Sequence, residues 1–198
     1  MNMKRKAAIT LLCVVFIIAL CGCGSKSAVN TIGPWDTSDQ QAGAVIEILS
    51  TGGLSAFAGF NVDETYQSAK MGVEYYKDGK LVKEEGQGEI ALEEASQGIA
   101  GFNCVDGTAT IGVSANGSTG SASDIQLTDY PVKEGENIAV TSITETRDIT
   151  DGQKIYLGAL SAGSDTIDTS VLDASFDKGS LVGQNWLFYV VFSTKPLE

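Results

Sequence analysis

The segment WLFYVVF, residues Trp186–Phe192, is the most apolar stretch of the chain beyond its N-terminal region. Its seven residues are all large and apolar, with no alternation of polar and apolar positions. A strand with one face in water would alternate with a period of two, whereas a continuous run is typical of a strand buried on both faces. The segment therefore predicts a strand in the middle of a sheet.

Other short apolar runs precede this strand at intervals of about 8 to 12 residues, which is the spacing of an all-β sandwich or barrel. The 23 glycines and three prolines of the chain suit many turns and bulges. We predict an immunoglobulin-like antiparallel β-sandwich over residues 45–198. The predicted strands are Val45–Leu49, Phe57–Val62, Lys70–Lys77, Lys80–Glu84, Glu89–Leu92, Ile99–Val105, Thr108–Ala115, Ile125–Thr128, Asn137–Thr144, Lys154–Leu160 and Trp186–Ser193.

The dipeptide Asp78-Gly79 separates two strand-like runs and predicts a tight hairpin. Such turns need a residue with positive φ, and glycine supplies it without a Cβ clash. A two-residue loop would pair Glu74 with Lys83 and Tyr76 with Leu81, and a three-residue loop would shift every pair, so the register stays open. Downstream, Gly86-Gln87-Gly88 resembles a nucleotide-binding loop but lacks the required βαβ context, and it predicts a turn. The segment 165–178 fits a helix or a strand equally well.

The N-terminus has the features of a secretory signal peptide, with basic residues Lys4–Lys6 followed by the uncharged run Ala7–Leu20. As a helix this run would span about 21 Å, less than the ~30 Å hydrocarbon core of a bilayer. A permanent transmembrane anchor is therefore the weaker interpretation. We assign residues 1–22 to the signal peptide.

The sequence that ends this region, Leu20-Cys21-Gly22-Cys23, resembles the lipobox of bacterial lipoproteins. In that class the cysteine after a small residue receives a diacylglyceryl group and becomes the first residue after cleavage. The resemblance implies lipidation of Cys23, because Gly22 is the small residue before the cut. Two acyl chains are enough for stable membrane anchoring. The resemblance covers about the first 25 residues and implies nothing about the domain that follows.

Residues 23–44 are rich in Gly, Ser, Thr, Asn and Gln, and we predict a lipidated N-terminus followed by a flexible tether. Trp35 is the exception within this segment, and we expect it to dock on the domain because exposed tryptophan is costly in water. Beyond the signal and Cys23, Cys104 is the one remaining thiol in the sequence, so no internal disulfide is expected. We predict that Cys104 is a small buried apolar residue in a strand.

The composition excludes several classes of function. The sequence contains no histidine, which removes His-based triads and His zinc sites. Thirteen basic and 25 acidic residues give a net charge of −12, and from residue 23 onward 10 basic residues stand against 25 acidic ones, or −15. This charge repels nucleic acid and anionic lipid. We recognise no catalytic, cofactor-binding or metal-binding motif; a calcium site in the loop Asp148–Gly152 stays a minor alternative.

These features predict a lipid-anchored cell-envelope protein on the extracytoplasmic face of a membrane. We expect a non-enzymatic interaction module whose partner is an extracytoplasmic protein or glycan. The alternative is a carboxylate-based hydrolase or transferase acting on envelope glycan, which would need two acidic side chains about 5 to 9.5 Å apart in a cleft. A small-ligand carrier is less favoured, because such carriers are usually larger α/β proteins. A set of aromatic residues could form a binding surface, but we favour core positions for them: Tyr66, Tyr75, Tyr76, Trp186 and Tyr189.

Overall fold

The computed structural model describes residues 29–35, 53–130, 137–163 and 165–197. Over these ranges the chain forms two antiparallel sheets that pack as a sandwich, which confirms the predicted fold class. The immunoglobulin-like subtype is compatible with this architecture and stays a prediction. The strands are β1 Thr31–Pro34, β2 Leu54–Val62, β3 Ser68–Lys77, β4 Lys80–Ala91, β5 Ser96–Val105, β6 Thr108–Ala115, β7 Ser118–Gln126, β8 Ile138–Ser142, β9 Arg147–Asp148, β10 Lys154–Ala162 and β11 Gln184–Ser193.

One sheet has the strand order β7-β6-β5-β2-β1-β9, and the other has the order β4-β3-β11-β10-β8. Strand β11 is the middle strand of the five-stranded sheet, as its apolar sequence predicts. Its inner side chains pack against the opposite sheet, where the rings of Phe102 and Phe188 stack with their centroids 3.7 Å apart. Its outer side chains Leu187 and Tyr189 belong to a second apolar cluster with Leu172. Burial on both faces explains why the sequence of β11 does not alternate.

The outer face of the five-stranded sheet is covered by the segment between β10 and β11. This segment forms neither the helix nor the strand that its sequence allowed, but two short 3-10 helices, Thr169–Leu172 and Lys178–Ser180. The side chains of Asp168 and Asp177 cap these helices by accepting from the backbone N–H groups two residues on. Among the described residues no helix is long and apolar enough to cross a membrane.

The β3–β4 hairpin has the predicted two-residue turn, with Asp78 at φ 48° and Gly79 at φ 74°. Tyr76 pairs with Leu81, as the two-residue register requires. The register then shifts between Tyr75 and Tyr76, so Glu74 lies opposite Glu84 and not opposite Lys83. A bulge places one extra residue in β4 and explains the shift.

The predicted turn at Gly86–Gly88 is wrong, because β4 continues through these residues to Ala91. A second register shift, between Met71 and Val73, marks an irregularity in the ladder there. Next to this irregularity β4 packs against β7, where a Cβ built on Gly88 would lie 2.9 Å from Cα of Ser121. The two edge strands therefore approach through glycine and cover this side of the sandwich.

The prediction of a flexible tether over residues 23–44 is also wrong in part, because Thr31–Pro34 form β1 between β2 and β9. Ile32 is fully buried in the core, which stabilises this short strand. Asn30 precedes it with φ 60° and holds its position, because its side-chain amide donates to Asp63 Oδ2 at 2.7 Å and its Oδ1 accepts from the Asp63 backbone N–H at 2.9 Å. The sandwich therefore includes residues upstream of position 45. The predicted strand Val45–Leu49 lies outside the described residues.

Candidate functional site

A cavity of about 580 Å³ lies on the outer face of the six-stranded sheet. We call it the Trp35 groove. Its lining comes from β1, β2, β5 and β6, from Trp35 and Asn116 directly after β1 and β6, and from Thr146. The lining residues are Thr31, Gly33, Pro34, Trp35, Gly59, Phe60, Asn61, Gln97, Gly98, Ile99, Ser114, Ala115, Asn116 and Thr146.

The strand register arranges the floor of the groove in two rows that cross the sheet. In the first row Gly33 of β1 lies opposite Gly59 of β2, which lies opposite Ile99 of β5. Ile99 in turn lies opposite Ser114 of β6. The first row therefore combines two glycines with one apolar side chain and one hydroxyl.

The second row is polar and lies two residues along each strand. Thr31 pairs with Asn61, and Asn61 pairs with Gln97. Gln97 stands next to Asn116 at the β6–β7 turn, where the Asn116 amide donates to Ser96 Oγ at 3.1 Å. We call these four residues, Thr31, Asn61, Gln97 and Asn116, the amide row. Neighbouring strands lie ~4.8 Å apart, so the row is about 14 Å long.

Trp35 follows β1 and packs on the first row. A Cβ built on Gly59 would lie 2.9 Å from Cε3 of Trp35, so glycine is needed for the indole to approach the strand. The predicted docking of Trp35 on the domain is confirmed. The indole Nε1 is buried and has no hydrogen-bond partner among the residues that the structure describes. Unpartnered buried donors are rare in folded proteins, which makes this position unusual.

A second cavity of about 160 Å³ lies beside β9 and the first 3-10 helix, and it contains acidic residues. The Asp173 carboxylate accepts from Arg147 Nη2 at 2.6 Å. The Asp168 carboxylate caps the 3-10 helix at Ser170 N, 2.8 Å away. Asp168 and Asp173 therefore hold the covering segment, and Glu145 is the third acidic residue in the lining.

A cluster of polar side chains on the outer face of the five-stranded sheet surrounds the buried residue Glu74, which is 4% exposed. Glu74 Oε2 accepts from the hydroxyls of Tyr156 at 2.8 Å and Tyr76 at 3.1 Å. Glu74 Oε1 accepts from Lys154 Nζ at 2.6 Å, and Lys154 also donates to Glu84 at 3.0 Å. We call these five residues the Glu74 cluster. It links β3, β4 and β10.

Tyr189 of β11 joins this cluster across β3. A Cβ built on Gly72 would lie 2.6 Å from Cζ of Tyr189, so the ring lies directly over this glycine. Its hydroxyl donates to Glu84 on the next strand. This hydrogen bond, together with Lys154, lowers the pKa of Glu84 from its usual value. Burial acts to lower the pKa of Lys154, but its hydrogen bonds to Glu74 and Glu84 outweigh burial and raise the pKa.

The Glu74 cluster has little capacity left for a substrate. Each Glu74 oxygen already accepts from a tyrosine or a lysine, and burial and contact with Glu74 raise the pKa of Tyr76 to about 12 and raise that of Tyr156 further. Neither cavity includes Glu74 or Glu84 in its lining. We interpret the cluster as a network, buried at Glu74 and open to solvent at Glu84, that fixes the four strands β4, β3, β11 and β10.

The other candidate residues take structural positions. Cys104 is a free thiol that is 1% exposed in β5, as predicted, and burial raises its pKa. Asp151 accepts from the Thr194 backbone N–H at 2.8 Å. Among the residues that the structure describes, no group of three or more Cys, Asp or Glu could hold a metal ion. The predicted core positions are confirmed for all five aromatic residues, which are at most 8% exposed: Tyr66, Tyr75, Tyr76, Trp186 and Tyr189.

No family model, curated protein or solved structure matches this chain. The groove is therefore interpreted from its own residues. Cys23, the predicted lipidation site, lies outside the described residues. Sequence reasoning found Trp35 but missed the amide row, whose members lie on three different strands and at the β6–β7 turn. The signal in the sequence was polar residues, threonine, asparagine and glutamine, at alternate strand positions. The strand register is needed to show that they align.

Proposed function

We propose that this protein is a lipid-anchored cell-envelope protein that binds an extracytoplasmic partner in the Trp35 groove. The anchoring rests on the sequence, where the lipobox-like Leu20-Cys21-Gly22-Cys23 follows a basic and apolar leader. The binding role rests on one observation, the groove of about 580 Å³ beside the half-buried Trp35, whose described lining residues carry no charge. Concave sites with a few polar groups and an aromatic side chain are typical of ligand binding.

Because the first strand of the sandwich begins at Thr31, the groove lies close in sequence to the proposed anchor. Asn30 is seven positions beyond Cys23, and a fully extended chain over seven Cα–Cα steps reaches about 24 Å. Thr31 and Asn61 lie at the same end of the sandwich as the Asn30–Asp63 contact. The groove therefore opens near the end of the domain that the lipid holds toward the membrane.

The hydrolase or transferase alternative has less support. Its requirement is a pair of acidic side chains in a cleft. Among the described residues the groove lining has no acidic side chain. The smaller cavity is lined by three acidic residues, of which Asp168 caps a 3-10 helix and Asp173 is paired with Arg147, so Glu145 has no second carboxylate there that is available for catalysis. A binding role needs none of these carboxylates.

A photo-cross-linking side chain placed at Gln97 tests the binding role. Gln97 is exposed in the amide row, and Gln153 is exposed in the turn before β10, where it serves as the matched control position. In intact cells we expect a discrete adduct from position 97 that is lost when Trp35 is also replaced by alanine, and no such adduct from position 153. Equal labelling from both positions, or no adduct from position 97, would contradict a binding role for the groove.

A further inference from the structure

We propose that the covering segment, residues 165–183 between β10 and β11, opens while both sheets stay folded, and that β1 controls this opening through Arg147. Arg147 lies on β9, next to β1, and its guanidinium holds the middle of the covering segment. Loosening of β1 would therefore free this segment and uncover the outer side chains of β11, Leu187 and Tyr189. The coupling depends neither on the lipid anchor nor on a ligand in the Trp35 groove.

The covering segment lies on the sheet without joining its strand ladder. The backbone hydrogen bonds that the structure gives within residues 168–181 are local, each from an N–H to the carbonyl three residues earlier. Three of its side chains are buried in the second apolar cluster, those of Val171, Leu172 and Leu181. Segments with local hydrogen bonds and few buried apolar side chains open at a lower free energy than core strands. The covering segment is therefore the part of this face that opens first.

Both ends of the covering segment are fixed to neighbouring turns. At its start, Asp165 accepts from the side-chain amide of Asn137. At its end, the Gly183 N–H donates to Asp78 Oδ1 at 3.0 Å, and the Gly183 carbonyl accepts from the Asp78 N–H at 2.9 Å. The opening therefore concerns the middle part, residues 168–181, which would move as a loop between two fixed ends.

Arg147 connects this middle part to the six-stranded sheet. Its Nη1 donates to the Leu172 carbonyl at 2.5 Å, and its Nη2 donates to Asp173 Oδ1 at 2.6 Å. Hydrogen bonds from a charged donor are stronger than those between neutral groups. The planar guanidinium makes both contacts at once only from one position, so the hold on the covering segment depends on where β9 places Arg147.

The second cavity lies at this junction. Its volume is about 160 Å³, and its lining joins residues of the β8–β9 connection, such as Thr144, to residues of the first 3-10 helix. A polar cavity of this size has room for water. Water beside the guanidinium can replace its bond to the Leu172 carbonyl, so separation here costs less than breaking the same contact in a dry core.

Strand β9 takes its place in the sheet from β1. It has only two residues, and Arg147 lies opposite Ile32 in the register. One residue further on, the Ile149 N–H donates to the Asn30 carbonyl at 2.7 Å. Such a short strand depends on its neighbour for stability. When β1 loosens, β9 shifts with it, and Arg147 loses the position from which it holds the covering segment.

The proposed function also acts on β1. Gly33 and Pro34 line the Trp35 groove, and the proposed tether precedes this strand in the sequence. A partner in the groove or a pull on the tether would therefore change the hold on the covering segment. This consequence rests on the proposed function, whereas the coupling between β1 and the covering segment rests on the contacts alone.

Hydrogen exchange of the detergent-solubilised full-length chain, followed by mass spectrometry, tests the coupling. We expect peptides from residues 168–181 to exchange faster than peptides from β11, residues 184–193, because the covering segment opens without global unfolding. Equal protection of the two regions would contradict the proposal.

The first pair of variants tests the hold by Arg147. Arg147→Met keeps an apolar stem but removes both hydrogen bonds, and it should speed exchange within residues 168–181 by about tenfold while β11 stays unchanged. Lys83→Met is the matched control, because it removes the cation of an exposed ion pair with Glu85. It should change exchange within residues 168–181 by no more than about twofold.

The second pair tests the dependence on β1. Ile32→Val removes one buried methylene group from β1 and should speed exchange in β1 and in residues 168–181 by about threefold. Val113→Ala is the control, since Val113 is 1% exposed on β6, three strands away from β1. It removes more apolar volume from the core, yet it should leave residues 168–181 unchanged because their opening is local.

Two results would overturn the proposal. In one, Arg147→Met leaves residues 168–181 unchanged or speeds exchange equally in β11. In the other, Ile32→Val and Val113→Ala affect residues 168–181 alike, which would mean that this segment opens only with the whole domain. Neither lipid nor groove ligand enters the measurement, so its failure would leave the proposed function standing.

Discussion

Replacing Glu74 with alanine should lower the free energy of unfolding by about 3 kcal/mol. The substitution removes the acceptor of two buried tyrosine hydroxyls, those of Tyr76 and Tyr156, and the partner of Lys154. Breaking a buried ion pair leaves the remaining polar groups desolvated and unpaired, at a typical cost of about 3 to 5 kcal/mol. We expect the lower end of this range because the Lys154 side chain is 32% exposed, so water replaces part of its interaction with Glu74. Equilibrium urea unfolding measures the change.

The matched control is Glu89→Ala on β4, since Glu89 is exposed and lies opposite Lys70. An exposed substitution of this kind should change the free energy of unfolding by no more than about 0.5 kcal/mol. If both variants lose the same stability, the Glu74 cluster is not the network that fixes the sheet.

The second large effect is a loss of stability at alkaline pH. Burial raises the pKa of all six tyrosines above the usual value, and it raises that of Tyr75 and Tyr130 to about 12. Above pH ~10 the unfolded chain loses tyrosine protons that the folded chain keeps. The unfolded state then binds fewer protons, so stability falls as pH rises, by up to about 1.4 kcal/mol per pH unit for each tyrosine.

Two lysines, Lys154 and Lys178, have shifted pKa values, and their contributions to this pH dependence oppose each other. The raised pKa of Lys154 stabilises the fold below its unfolded value, and this stabilisation is lost as pH rises through the folded value. Burial lowers the pKa of Lys178, so the contribution of Lys178 makes the fold more stable as pH rises. Six tyrosines outweigh one lysine, so we expect net destabilisation.

Parallel titrations of tyrosinate absorbance and circular dichroism measure this effect. We expect little tyrosinate absorbance near pH 10 and then a steep rise that coincides with the loss of the strand signal. The urea-unfolded chain serves as the control and should titrate near pH 10. A gradual rise near pH 10 in a chain that keeps its strand signal would contradict the burial of these hydroxyls.

The strongest sequence signals predicted the fold correctly. The apolar run of β11 predicted a central strand, and Asp78-Gly79 predicted the hairpin, because both signals are local. Strand β1 was missed because Ile32 is its one large apolar residue. The first part of β7 was missed because its sequence, STGSASD, is small and polar, and its position depends on β6 and β4.

The candidate site was less predictable, since it depends on register and distant contacts. The docking of Trp35 followed from the cost of exposing an indole. The amide row requires the alignment of β1, β2, β5 and β6, and a one-residue slip would turn its side chains to the other face. The burial of Glu74 depends on partners 80 and 82 residues away, Lys154 and Tyr156.

The most direct test of the central proposal is the intact mass and N-terminal peptide of the protein isolated from bacterial cells. We expect a chain that begins at Cys23 and carries a diacylglyceryl group on that cysteine. Cys23→Ala should lose the lipid and release a folded domain from the membrane, whereas Cys21→Ala, two positions earlier, should remain lipidated and anchored. A wild-type polypeptide that begins at Met1 without acylation would contradict the proposal.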